Sequence, residues 1–188
     1  LEKTLATVSS YKPVRHRIDG LEILSPLNTL FMQVRHRIDG LEKHDTPDSA
    51  RRRKATKALC ELLVWGSTKD TEQNMAVIEQ YLASIMFVAC QERKQGEPRG
   101  IGLTLKDLTG KMARMVLWHE LYNMWDWHTV EGMLRYSGIH QLSPKAYSMT
   151  WKPYASVMLE ELAVMCKMID NHVNQYRREL KDEAEEIV

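Results

Sequence analysis

The chain has 188 residues, of which 44% are hydrophobic and 27% charged, and its formal net charge is +1. A length and balance of this kind describe one folded domain, or one domain with an arm, that buries a core without disulfide or metal support. They exclude any partner named by net charge alone, and no apolar run approaches the roughly 18–20 residues of a membrane span.

Three cysteines, Cys60, Cys90 and Cys166, are widely spaced in apolar surroundings and form no C-x-x-C pair. An odd, scattered set predicts buried free thiols and a reducing compartment, the cytoplasm, the nucleus or the inside of a virus particle. No secretory signal stands at the start, and a first residue of Leu fits a fragment or a processed form.

Residues 1–45 differ from the rest. The string VRHRIDGLE occupies 14–22 and recurs without mismatch at 34–42, while the flanking residues do not match. A solenoid repeats along its whole unit with drift. A short identical copy instead leaves a recent duplication, an engineered copy or an error in the chain as its origin. The run from Val14 to Ile18 alternates apolar and polar residues and is followed by Asp19-Gly20, a hairpin signal. The spacing of Val14, Ile18 and Leu21 also fits a helix, which Gly20 opposes. The reading adopted is an extended or hairpin-like basic arm over 1–45, ahead of a helical domain over 46–188.

From Thr46 onward the pattern is mainly α, a compact bundle of about five helices. Thr46-Pro47-Asp48 offers an N-cap hydroxyl, a proline in the first turn and a carboxylate at the positive helix end, and the helix should stop at Gly66. Ser67 and Thr68 offer the next cap. The following helix carries Met75, Ile78, Leu82, Ile85 and Ala89 on one face and Val77, Tyr81, Ser84 and Val88 on another, so it reads as a central helix ending near Gln95-Gly96. Pro98, Gly100 and Gly102 mark a loop. Thr104 with Asp107 is a variant capping box opening a helix over 105–126, in which Gly110 is a candidate point of interruption. A helix over 129–136 closes at Ser137-Gly138, and Ser143-Pro144 opens a short helical turn.

The last helix is expected over 153–186. Its apolar stripe (Met158, Leu162, Met165, Ile169, Val173, Tyr176, Leu180, Ala184, Ile187) repeats every eleven residues, which keeps the stripe straight or slightly right-handed. Such a helix spans roughly 50 Å at 1.5 Å per residue. A domain of this size is about 35–40 Å across, so the tip should project. The stripe either lies on the domain's own core or, in its distal half, meets another subunit through Tyr176, Leu180 and Ile187.

Charge is uneven along the chain. Residues 12–57 hold eleven Lys and Arg against six Asp and Glu, whereas residues 160–188 hold four against eight. The densest cationic group is Arg51, Arg52, Arg53 and Lys54, with Lys57 one turn on. It lies in the first turns of a helix, where the dipole disfavours cations. An anionic partner would fit, and so would a solvated face balanced by Asp45 and Asp48. Arg15, Arg17, Arg35 and Arg37 add positive charge in the arm. No zinc-finger spacing, RNA-recognition sheet signature or G-x-x-G loop is present, so the nucleic-acid signal is electrostatic only.

A second cluster runs from Trp118-His119-Glu120 to Trp125-Asp126-Trp127-His128, with Glu131 beyond. The residue four after His119 is Asn123, so the H-E-x-x-H zinc pattern fails. Packing by Trp118, Trp125 and Trp127 is the commoner use of such aromatics. Eleven methionines fit irregular core filling and adaptable contact surfaces. The segment 96–102, GEPRGIG, lacks the G-K-[ST] ending of a phosphate loop.

The expectation is a non-enzymatic structural or assembly protein with no catalytic residue, cofactor or metal. It would be a homo-oligomer and bind nucleic acid, RNA foremost, through the basic residues named above, on the general plan of coat, nucleocapsid and matrix proteins. A helical protein-interaction module without a nucleic-acid role is the alternative. A small helical enzyme or metal protein using His119, Glu120, Asp126, His128 and Glu131 is a third.

Overall fold

A computed structural model of the chain describes residues 46–66, 69–122 and 129–186. The arm over 1–45, with its repeated string, lies outside the described residues. The rest is all helical: α1 (Pro47–Trp65), α2 (Thr71–Glu92), α3 (Leu105–Tyr122), α4 (Val130–Tyr136), α5 (Pro144–Ala146), a π turn (Tyr147–Trp151) and α6 (Lys152–Glu186). No strand occurs among the described residues. No described helix is long and apolar enough to cross a membrane.

The helix starts follow from local chemistry. The Thr46 hydroxyl accepts the Ser49 N–H at 3.2 Å, with Pro47 in the first turn, where its missing donor costs nothing. At α3 the capping box closes in both directions. The Thr104 hydroxyl accepts the Asp107 N–H at 3.1 Å, while the Asp107 carboxylate accepts the Thr104 N–H at 3.3 Å and the Thr104 hydroxyl at 2.6 Å. Those hydrogen bonds from Thr104 hold the Asp107 carboxyl below its ordinary range. Thr129 caps α4 through the Gly132 N–H at 3.0 Å, and Ser143 caps α5 through the Ala146 N–H at 3.2 Å.

Two helix ends use the same device. At α4, the Ile139 N–H donates to the Leu134 carbonyl at 2.8 Å and the Gly138 N–H to the Arg135 carbonyl at 3.1 Å. This is a Schellman cap with Gly138 at φ 69° and with Leu134 and Ile139 buried beside each other in the pattern. At α2, the Gln95 N–H donates to the Cys90 carbonyl at 2.8 Å and the Lys94 N–H to the Gln91 carbonyl at 2.9 Å. Here the left-handed residue is Lys94, at φ 52°. The helix therefore ends at Glu92, ahead of the expected stop at Gln95-Gly96. It also begins at Thr71, later than a cap at Ser67 or Thr68 would place it.

Two further expectations are corrected, and the start of the last helix is met to within one residue. α3 runs through Gly110 without a break, because the intrinsic cost of a helical glycine, about 1 kcal/mol, is outweighed by the burial of Leu108, Met112, Ala113, Met115, Val116 and Leu117 around it. α2 is not buried all round: Met75, Ile78, Tyr81, Leu82, Met86 and Cys90 are buried, whereas Val88 is 50% exposed. The C-terminal helix, expected from about Pro153, begins at Lys152. α5, the π turn and α6 are continuous, with helical backbone at both junctions. Pro153 has no N–H to return to the carbonyl of Met149, and the wide turn, in which the Lys152 N–H reaches back to the Tyr147 carbonyl, sits immediately before it. The widening lets the rod carry a proline without stopping.

The chain divides into two compact units, one of 1–77 with 163–188 and one of 78–162, and the division falls inside α2 and α6. In the first, Ala55, Ala58, Leu59, Cys60, Leu62, Met75, Met165, Cys166, Ile169 and Val173 are buried, and the Asn74 amide donates to the Glu61 carboxylate at 2.9 Å. In the second, Ile78, Leu82, Met86, Leu108, Met112, Leu117, Leu134, Ile139 and Met158 are almost wholly inaccessible. Burying each of these side chains contributes about 1.5–3 kcal/mol. The Tyr81 hydroxyl, in the same unit, donates to the Glu161 carboxylate at 2.6 Å, joining α2 to α6.

Candidate nucleic-acid interface

The basic stretch lies on the first turns of α1, and its cations have different surroundings. Arg51 and Lys54 are exposed. The Arg51 guanidinium is 3.5 Å from the Asp48 carboxylate one turn earlier, both largely in solvent, a pair of small energetic weight. Arg52, Arg53 and Lys57 are half-buried, and each carries a polar or electrostatic interaction of its own. Ala55, Thr56, Ala58 and Leu59 occupy the buried side, with the Thr56 hydroxyl donating to the Arg52 carbonyl at 2.9 Å. Asp48 thus balances part of the stretch, as a solvated face would have it, while Arg51 and Lys54, three residues apart, are both exposed. Arg15, Arg17, Arg35 and Arg37 lie outside the described residues.

Along α6 the apolar stripe Met158, Leu162, Met165, Ile169 and Val173 is buried within the protein. Tyr176 is half-buried. The Leu180 side chain and Ile187 lie outside the described residues.

The aromatic and histidine cluster resolves into polar contacts on α2 and α3. Glu79, nearly enclosed, accepts from the Arg114 guanidinium at 3.1 Å and from the Trp118 indole N–H at 3.2 Å. Neither Glu79 nor Arg114 stands out in the sequence, since both fall at ordinary helical positions far apart in the chain. His119 Nδ1 lies 3.1 Å from the Glu120 carboxylate, which is itself largely buried. Asp126 and His128 lie outside the described residues, while Glu131 falls in the first turn of α4. Among the described residues no three of His, Cys, Asp and Glu gather as a metal would need. Cys60, Cys90 and Cys166 are all buried free thiols, and burial pushes the Cys90 thiol up to about 11, against a smaller lowering by Arg93. A thiol in that condition is protonated at neutral pH and is a poor nucleophile.

The connection from α2 to α3 is a second basic region that sequence reading passed over, having tested 96–102 only as a phosphate loop. Arg93, Lys94, Arg99 and Lys106 are exposed. The Arg93 guanidinium lies 5.2 Å from the centre of the Tyr154 ring, and the Tyr154 hydroxyl donates to the Gln95 amide oxygen at 3.4 Å. Trp151 packs against Tyr154 at 5.9 Å between ring centres. No protein-family model, curated protein or solved structure matches the chain.

Proposed function

We propose that this chain is a non-enzymatic structural or assembly protein that self-associates and binds nucleic acid, RNA foremost, by electrostatic contact. The observation that carries this reading is the run of cations from Arg51 to Lys54 at the start of α1. Positive charge there is opposed by the helix dipole, so an anion alongside it is favoured. Arg51 and Lys54 are the exposed members, and Arg52, Arg53 and Lys57 raise the local potential from half-buried positions. The arm adds Arg15, Arg17, Arg35 and Arg37. Self-association would use the distal part of α6, with Tyr176, Leu180 and Ile187, and the opposite charge of the chain's two ends suits head-to-tail contact. Coat, nucleocapsid and matrix proteins share this plan of helical body, arm and basic face.

Light scattering coupled to size exclusion, at low and high salt with absorbance at 260 and 280 nm, tests the reading. A large, salt-sensitive assembly with excess 260 nm absorbance is expected, and RNA binding should weaken when Arg51, Arg52 and Arg53 are changed to Ala. A clean monomer without nucleic acid at either salt overturns it. The second reading, a helical protein-interaction module, draws on the engagement of Arg52, Arg53 and Lys57 and on the exposure of Val88, Tyr136, Met149 and Val164. One protein bound tightly, with no affinity for RNA, would select it.

A further inference from the structure

We infer that the α2–α3 connection is an RNA-backbone contact surface, with Arg93, Lys94 and Arg99 as its phosphate-binding side chains. The inference rests on the RNA-binding reading above and assigns it a face of the molecule apart from α1 in sequence.

Three observations meet there. The first is an asymmetry of charge engagement. Two carboxylates near these cations are occupied by helix α3, while Glu92, the last residue of α2, stays exposed: Glu97 of the connection accepts the Leu105 N–H at 2.5 Å, and Asp107, in the first turn of α3, is held by Thr104. Both spend their charge on the amide end of a helix, where it is balanced by the dipole. Arg93, Lys94 and Arg99, by contrast, are exposed and form no ion pair among the described residues. The cations of α1 differ, since Arg51 is paired and Arg52, Arg53 and Lys57 are engaged.

The second observation is preorganisation. Arg93 lies over the Tyr154 ring, and Gln95 is tied to the Tyr154 hydroxyl, so the residues on both sides of Lys94 are anchored to one side chain of α6. A guanidinium already held on an aromatic face loses less freedom when it meets a phosphate oxygen. The same ring is flanked by Trp151.

The third is backbone strain. Lys94 is the only non-glycine residue at positive φ among the described residues, at 52°. A helix can end in this way with glycine at less cost, and Gly96 is two residues away. A lysine kept in a left-handed position puts an exposed cationic residue at the C-terminal end of α2, beside Arg93 in sequence, where glycine would put none. Strained positions of this kind gather where a side chain is put to use.

The partner is RNA because three exposed cations on a connecting segment, with no ion pair among the described residues, suit the phosphates of a flexible chain, and an acidic protein is an outcome of the test. The test is fluorescence anisotropy with a labelled 20-nucleotide oligouridylate across a salt series. It compares the full chain with a triple variant carrying Arg93→Gln, Lys94→Gly and Arg99→Gln. Glycine suits the Lys94 backbone, so the charge is removed while the cap is kept, and urea unfolding of the same samples verifies the fold. Each phosphate contact contributes about 0.7 to the slope of log affinity against log salt. The triple variant should therefore lose about 2 units of slope and bind about a hundredfold more weakly near 0.1 M salt. Unchanged affinity and slope in the folded variant, with the original chain binding, overturns this surface and leaves the α1 reading intact. Failure of the original chain to bind at any salt overturns both. Displacement of the RNA by oligoglutamate of equal charge at lower concentration than by unlabelled RNA overturns this surface in favour of an acidic protein.

Discussion

Replacing Lys94 by glycine should stabilise the protein, although it deletes a long side chain and a charge. An L-residue in the left-handed region carries a steric cost of about 1–2 kcal/mol that glycine does not. Glycine gives back about 0.4–1 kcal/mol through its greater freedom in the unfolded chain. The ammonium at the end of α2 also interacts favourably with the helix dipole, by about 0.3–1 kcal/mol when exposed. Lys94→Ala separates these effects, because it loses the charge but keeps the strained Cβ. In the parent Lys94 is at φ 52° with its N–H bound to the Gln91 carbonyl at 2.9 Å, and the comparison takes that cap as common to the three proteins. The glycine variant is expected to be more stable than the alanine variant by about 1 kcal/mol, and than the parent by about half that. In urea, with a slope of about 1–3 kcal/mol per molar, the midpoints of the two variants should differ by about 0.5 M when followed by circular dichroism at 222 nm. Coincident midpoints, or a glycine variant less stable than the alanine one, would refute the argument that the left-handed backbone of Lys94 is strained.

The companion change has the opposite sign. Gly138→Ala places a Cβ at φ 69° and 2.9 Å from the Lys111 ammonium nitrogen, which must move, so it should cost about 1–2 kcal/mol and lower the melting temperature by about 2–8 °C. Tyr81→Phe removes the donor that Glu161 receives at 2.6 Å and should cost about 2 kcal/mol in urea unfolding; a loss below the error of the measurement would show that solvent replaces the bond. The Asp107 carboxyl titrates below its ordinary value of 3.8, so its stabilising effect is present above that pH and is lost as pH falls through the lower folded value. Asp107→Asn should accordingly narrow the difference in stability between pH 6 and pH 3, and an undiminished difference would count against the capping box. Cys90, with its thiol raised from 9.0 to about 11, favours folding below pH 9 and loses that contribution as pH climbs toward 11. All three buried thiols should resist a disulfide reagent at pH 8 in native protein and react fully in denaturant.

Apart from that of α2, the starts of the helices were legible in the sequence because N-capping is a matter of a few adjacent residues. Thr46-Pro47, Thr104 with Asp107, Thr129 and Ser143-Pro144 each carry their own hydrogen-bonding chemistry wherever the chain goes. The ends were legible only where glycine marks them, as at Gly66 and Gly138. At α2 the glycine was a decoy: Gly96 lies beyond the turn, and the residue that takes the left-handed conformation is a lysine that no propensity favours. Gly110 is a local signal to stop that the buried side chains along α3 override, whereas Pro153 marked the start of α6 to within one residue but not its continuity with the turn before it. The charges of α1 were equally visible, but which of them the fold engages depends on burial. Arg52 and Lys54 look alike in the sequence and differ in the folded chain. The basic character of the α2–α3 connection was passed over because Glu97 and Asp107 offset part of it on paper, and their capture at the start of α3 separates the two signs.

The π turn has a consequence for how the length of this chain can vary. Insertion of one residue into an ordinary α-helix rotates everything beyond it by about 100° and would turn a buried stripe toward solvent. Between Tyr147 and Trp151, both buried, the three intervening residues Ser148, Met149 and Thr150 are exposed, and the backbone is already wound one residue wide. The segment is a phase adjuster: it brings Tyr147 on one side and Tyr154, Met158 and Leu162 on the other to the interior despite a proline between them. Single-residue gains and losses in related chains should therefore collect at 148–150, while the seams before and after keep their spacing.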